Sequence, residues 1–243
     1  MKKNIPAIIH KEEGFLILNK PSGMIVNNAD TAKDEYTVQD FIQENFTLRG
    51  VPDSTSEFES RGGIVHRLDK ETSGALIVAL NEDCFVAFQK QFKEKKVKKE
   101  YLALVHGKLV PEGEVNVPIG RLPWNRMRFG VIPQGRESYT KFKVMKYMAI
   151  KDMKRSEVLS LVTVFPQTGR THQIRVHMQY VGHPIFADNL YAGRKNIVRD
   201  RKLLDRHFLH ASKITFSHPV TGKPMTFEAP LPSELVAFLD TLT

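Results

Sequence analysis

His66-Arg67-Leu68-Asp69-Lys70-Glu71-Thr72-Ser73-Gly74, followed at once by Ala75-Leu76-Ile77-Val78-Ala79, is the stretch on which the reading of this chain turns. The apolar run reads as a buried strand, and the block before it crowds a carboxylate among cations and hydroxyls. A charge set against a buried strand must be paired or take part in chemistry, because an isolated ion there is expensive. The block is therefore either a solvated turn between strands or a rigid mount for Asp69 acting as a catalytic carboxylate.

Several other chemistries fall away. Protein kinases carry H-R-D-L in their catalytic loop, whereas Leu68 precedes Asp69 here, and the glycine-rich loop, V-A-I-K and D-F-G segments are missing. His172 and His177 stand five apart and diverge on a helix, unlike the ligand pair of H-E-x-x-H. The lone Cys84 rules out a thiolate zinc site and reads as a packing residue of a helix. Ser73 lacks the G-x-S-x-G turn of a nucleophile elbow and reads as a structural hydroxyl.

Beyond the block, the chain contains Asn19-Lys20-Pro21-Ser22-Gly23, Lys99-Glu100-Tyr101-Leu102-Ala103 and Thr168-Gly169-Arg170-Thr171-His172-Gln173-Ile174-Arg175-Val176-His177. Gly182-His183-Pro184-Ile185, Leu209-His210-Ala211 and Phe216-Ser217-His218-Pro219 follow. Taken in this order, these segments resemble the motifs of the RluA family of pseudouridine synthases, whose central motif reads H-R-L-D-x-x-T-S-G. The resemblance spans nearly the whole chain. It implies an α+β pseudouridine synthase fold: a large, mixed, mainly antiparallel curved sheet flanked by helices, with a central cleft. Many relatives carry an N-terminal S4-type RNA-binding domain. The motifs here begin within about twenty residues of the start, so a single catalytic domain over 1–243, without an S4 domain, is expected.

The resemblance also implies the reaction. The glycosidic bond of a uridine in RNA is broken, the uracil rotates, and it is rejoined through C5. Neither a cofactor, a metal nor a cosubstrate is implied. Asp69 matches the family's catalytic carboxylate, acting as a nucleophile at C1′ or as a base near C2′; the sequence leaves both routes open. To stay ionised in a drying cleft it needs a nearby cation or hydrogen-bond donors. Arg170, expected at the mouth of a helix, is the candidate, with Arg175 in reserve as a substrate contact or a structural arginine. Tyr101 matches the tyrosine that stacks on the uracil. Arg67 matches an arginine that fills the space of an extruded nucleotide, at an unstacking cost of a few kcal/mol. His66 is expected to support the loop, and Lys20 to sit near the cleft edge.

Composition fits an RNA partner. Lys plus Arg total 36 against 27 Asp plus Glu, a formal net charge of +9. Such a surplus suits a polyanion. It is concentrated in Lys93 to Lys99, in Arg121, Arg126, Arg128 and Arg136, and in Arg194 to Lys202. Each run alone reads as a solvated face, but three around the motifs suggest a phosphate-binding surface, with Trp124 and Phe129 either stacking on bases or anchoring the loop. No apolar run reaches the roughly 18 residues of a membrane span, and the N-terminal apolar run is too short for a signal peptide. A cytoplasmic monomer without an obligate protein partner is expected.

Periodicity places helices over 37–46 (capped by Thr37), 82–96 and 169–181, and a last one capped by Ser233 and running through Leu242. Strands are expected over 15–18, 101–105, 139–145, 158–164, 208–216 and 225–228, with a polar loop at 50–63. That loop and the 121–136 segment match no general pattern and are expected to set target choice. Ribosomal or transfer RNA is the implied target. A non-catalytic RNA-binding module on the same fold and a basic nuclease are the competing classes. The nuclease should show clustered acids or paired histidines, and neither is apparent.

Overall fold

The computed structural model describes residues 5–28, 35–49, 56–152 and 155–243. In chain order the first elements are β1 (Ala7–Lys11), β2 (Phe15–Lys20), α1 (Val38–Asn45), α2 (Glu57–Ser60), β3 (Ser73–Ala79) and α3 (Glu82–Lys93). Next come β4 (Lys98–His106), β5 (Glu112–Asn116), β6 (Ile119–Leu122), β7 (Asn125–Val131), β8 (Tyr139–Asp152) and β9 (Arg155–Pro166). The last are α4 (Gln173–Tyr180), α5 (Arg194–Asp200), β10 (Leu209–Ser217), β11 (Pro224–Glu228) and α6 (Ser233–Asp240). Strands dominate, and the pairings β1–β2, β2–β3, β4–β9, β5–β8, β6–β7, β8–β9 and β10–β11 are antiparallel, an α+β architecture. The chain forms two compact units, Met1–Lys98 with Ala211–Pro230, and Lys99–His210 with Leu231–Thr243.

In the first unit β1 pairs with β2 and β2 with β3, β10 lies beside β3, and β11 pairs with β10. Every residue of β3 is buried, which is why its sequence is an unbroken apolar run rather than an alternating one. Phe15, Phe58, Phe85, Phe88 and Phe216 fill the core under it. Helix α3 is capped by Asn81, whose side chain accepts the Cys84 N–H at 2.9 Å. It presents Cys84, Phe85 and Phe88 inward. Val86 is exposed, because a residue one step from Phe85 is turned by about 100° around the axis. Thr37 forms a full capping box with Asp40 at the start of α1.

In the second unit the strand order is β4-β9-β8-β5, and β6 and β7 form a separate hairpin. Its main core gathers Leu104, Phe186, Phe208, Leu235 and Phe238.

Several elements differ from expectation. The 50–63 loop holds α2, capped by Ser56 on the Glu59 N–H, while 50–55 lie outside the described residues. Helix α4 starts at Gln173 rather than at 169, because His172 takes a left-handed φ of 56° that cannot continue a helix. Ser233 is the first residue of α6 and not its cap; Pro232 holds that place and its carbonyl receives the Leu235 N–H. The arginine-rich 121–136 segment, which matched no pattern, is built on the β6–β7 hairpin.

Candidate active site

Asp69 sits in a turn closed by the Thr72 N–H donating to the Asp69 carbonyl at 3.1 Å. A second turn, Pro21-Ser22-Gly23, is laced onto it. Gly23 N–H donates to the Lys70 carbonyl at 2.9 Å, and Ser22 Oγ donates to the Glu71 carbonyl at 2.9 Å. Gly23 has φ +83°, a left-handed value that a residue with a Cβ adopts only under strain. Lys20 completes the clasp. It is fully buried, and Nζ donates to the carbonyls of Pro21 at 2.9 Å, Met24 at 2.8 Å and Lys70 at 3.1 Å. Lys20, expected near a cleft edge, is thus turned inward onto these carbonyls and fixes the turn after Asp69.

The half-buried Asp69 is thus held by backbone on both sides. Farther along, at the start of β3, Gly74 has φ +119°, and a Cβ there would lie 2.2 Å from the Ala211 carbonyl oxygen, so only glycine lets β3 lie this close to β10. His66 Nε2 accepts the Ile77 N–H at 2.9 Å, and its ring lies 4.8 Å from that of Phe92. Arg67 is exposed and has no ion-pair partner among the described residues.

The second unit holds the other candidates. Tyr101 is buried in β4 opposite Val164 of β9. Lys99, two residues earlier and therefore on the same face of the strand, donates Nζ to the Thr168 carbonyl at 3.3 Å. Burial pushes its ammonium down to about 8.

Arg170 lies in the 168–172 loop, three residues before α4 rather than at its mouth. The loop is shaped by Gln173, a residue that sequence reasoning passed over. Its Oε1 accepts the Arg170 N–H at 3.0 Å and the Thr168 hydroxyl at 2.6 Å. Its Nε2 donates to the Tyr139 carbonyl at 3.1 Å and to Thr140 Oγ1 at 2.9 Å. Gln173 is buried, and a buried amide must be fully hydrogen-bonded. Arg170 Nε donates to the Glu137 carbonyl at 3.0 Å. Burial, with the positive charge of Arg136 nearby, lowers its pKa from the ordinary value, yet a guanidinium remains charged.

Arg175 is buried, with Nε 2.7 Å from Asp188 Oδ2 and Nη2 2.9 Å from Oδ1, so its charge is matched within the protein. The histidines dismissed as ligands are also accounted for. His172 Nδ1 is 2.9 Å from the Tyr191 hydroxyl, and His177 Nδ1 is 2.9 Å from Thr140 Oγ1. Desolvation holds His177 down to about 4, so it is neutral.

The basic clusters separate. Lys96 pairs with Glu94, and Arg199 with Glu157 and Asp200. The hairpin keeps its cations at the surface, with Trp124 (78% exposed) and Met127 (77%) beside them. Phe129 serves as an anchor, its ring 5.6 Å from His172 and under Arg121 at 5.2 Å.

Known proteins define the class of this fold. The solved human RNA pseudouridylate synthase domain containing 1 superposes with a TM-score of 0.74 at 27% identity, covering 97% of this chain and 88% of that one. Residues 14–180 match the family model described as RNA pseudouridylate synthase. The chain belongs to this family of isomerases. Among curated relatives, an uncharacterized RNA pseudouridine synthase of Chloroflexus aurantiacus is 37% identical over 224 residues, 92% of this chain and 65% of that protein. Ribosomal large subunit pseudouridine synthase D of Vibrio vulnificus is 32% identical over 243 residues, 97% of this chain and 70% of that protein. The chain thus spans about two-thirds of the length of these relatives.

Proposed function

We propose that this protein is an RNA pseudouridine synthase that converts specific uridines of large-subunit ribosomal RNA to pseudouridine. The observation that carries this reading is the family match over 14–180, which includes the clasped turn bearing Asp69. Relatives named for the ribosomal large subunit favour ribosomal over transfer RNA.

In this reading the two units form one catalytic domain acting as a cytoplasmic monomer, with no obligate protein partner. Asp69 is the carboxylate that acts on the ribose side of the glycosidic bond, as a nucleophile at C1′ or as a base near C2′. A carboxylate is a modest nucleophile or base, so it depends on being held in line; the lacing of residues 20–23 onto 70–71 supports that role. Tyr101 stacks on the uracil while it turns, and Arg170 balances the carboxylate charge. Arg67, exposed and without an ion-pair partner among the described residues, fills the gap left when the target nucleotide swings out of its stack. His66 holds the motif to β3. The same reading requires no redox cofactor or metal, because substrate and product are isomers.

The test is to incubate the protein with large-subunit ribosomal RNA and to map pseudouridines by carbodiimide modification and reverse-transcription stops. New stops with the native chain, absent with Asp69→Asn although that variant still binds RNA, are expected. RNA binding without any new stop would refute the enzyme reading in favour of a non-catalytic RNA-binding module.

A further inference from the structure

Tyr191 joins the arginine-rich hairpin to the loop that carries Arg170. Its ring is 2% exposed. Its hydroxyl accepts the Phe129 N–H of β7 at 3.1 Å and lies 2.9 Å from Nδ1 of His172, two residues after Arg170. Two guanidiniums lie at cation–π distance from the ring, Arg175 with Cζ at 5.1 Å and Arg128 with Cζ at 5.3 Å. They differ in one respect. Arg175 is neutralised by Asp188, whereas Arg128 has no carboxylate partner among the described residues, and its Nε is covered without a hydrogen bond.

An arginine on an exposed hairpin usually moves freely, and binding must then restrain it. Arg128 is already restrained by the ring, so less rotamer freedom is lost when an anion binds. Stacking occupies the face of a guanidinium and leaves its Nη groups for an acceptor, and phosphate matches that in-plane geometry. Arg126, on the same strand, has neither a ring nor an ion-pair partner among the described residues and serves as the contrast.

We propose that Arg128 is a phosphate-binding position for the RNA backbone and that Tyr191 is the residue that positions it. This rests on the reading of the protein as an RNA modifier. It assigns the hairpin a defined contact rather than a diffuse positive field. Because Tyr191 also holds His172, a phosphate gripped at Arg128 is registered to the loop of Arg170.

The experiment is filter binding of a large-subunit ribosomal RNA transcript to the full chain between 50 and 200 mM salt. Each phosphate contact adds about one to the slope of log affinity against log salt. Arg128→Gln should lower that slope by about one, so its affinity deficit should shrink about threefold across this range. Tyr191→Leu should reproduce the slope loss and Tyr191→Phe, which restores the ring, should recover it. Arg126→Gln should shift the slope less than Arg128→Gln. An Arg128→Gln protein with the native slope and affinity at every salt concentration would overturn the proposal, as would absence of salt-dependent binding by the native chain. Pseudouridine formation is scored separately in the same mixtures. A slope loss in Arg128→Gln without isomerisation by the native protein would sink the enzyme reading and leave this contact standing.

Discussion

Replacing His106 by Gln should abolish a pH dependence of stability that the buried network around it imposes. His106 is 5% exposed, with Nδ1 2.7 Å from Glu157 Oε1 and Nε2 2.9 Å from Asp200 Oδ2. Arg199 reaches both carboxylates, and the Phe186 ring lies 5.4 Å from the imidazole. Desolvation alone would lower the imidazole pKa, but the hydrogen bonds to Asp200 and Glu157 outweigh it and hold it up at about 9, against 6.5 in the unfolded chain. With the folded value the higher, the stabilisation is complete below pH 6.5 and is lost as pH rises through about 9. At about 1.4 kcal/mol per pH unit, the gap between 6.5 and 9 corresponds to an upper limit of about 3 kcal/mol. Urea titrations at pH 6 and pH 9.5 read this difference directly, and the ring Cε1–H resonance should titrate with a midpoint near 9. Native protein should lose about 3 kcal/mol more than His106→Gln over that interval. Parallel losses in the two proteins would refute the reasoning.

Three further substitutions test the scaffold of the site. Gly74→Ala combines φ +119° with a Cβ 2.2 Å from the Ala211 carbonyl and should cost at least about 3 kcal/mol in urea unfolding; a loss under about 1 kcal/mol would contradict the close approach of β3 and β10. Asp188→Asn leaves Arg175 buried without its counter-charge and should cost about 3–5 kcal/mol, seen as a large drop in melting temperature, and an unchanged melting curve would show the pair to be dispensable. Lys20→Met strips three carbonyls of their donor and should destabilise by about 2–4 kcal/mol; a selective loss of RNA affinity at native stability would instead restore Lys20 to the RNA surface.

The fold was legible where sequence pattern and tertiary demand coincide. Thr37 with Asp40 three positions on signals a capped helix locally, and the apolar run of β3 can only be a buried strand. It was illegible where a single residue departs from its type. Nothing local shows that His172 adopts a left-handed φ and postpones α4 to Gln173, because Phe129 and Tyr191, distant in sequence, hold its ring. The motifs located the candidate residues but not their tasks. Lys20 and Arg175 read as ligand contacts because cations in motifs usually face a substrate, while their partners, three backbone carbonyls and Asp188, are supplied only by the folded chain. Gln173 was missed for the complementary reason: its importance lies in four hydrogen bonds to loop and strand atoms that the motif does not reveal.

In the proposed reaction the carboxylate of Asp69 drives the exchange of a ribose–N1 bond for a ribose–C5 bond in RNA. That exchange frees the hydrogen at C5, so release of tritium from ribosomal RNA labelled at uridine C5 measures it directly. The native protein should release tritium in step with pseudouridine formed, and Asp69→Asn should release none while remaining folded and RNA-bound. Tritium release by Asp69→Asn at the native rate would contradict the account.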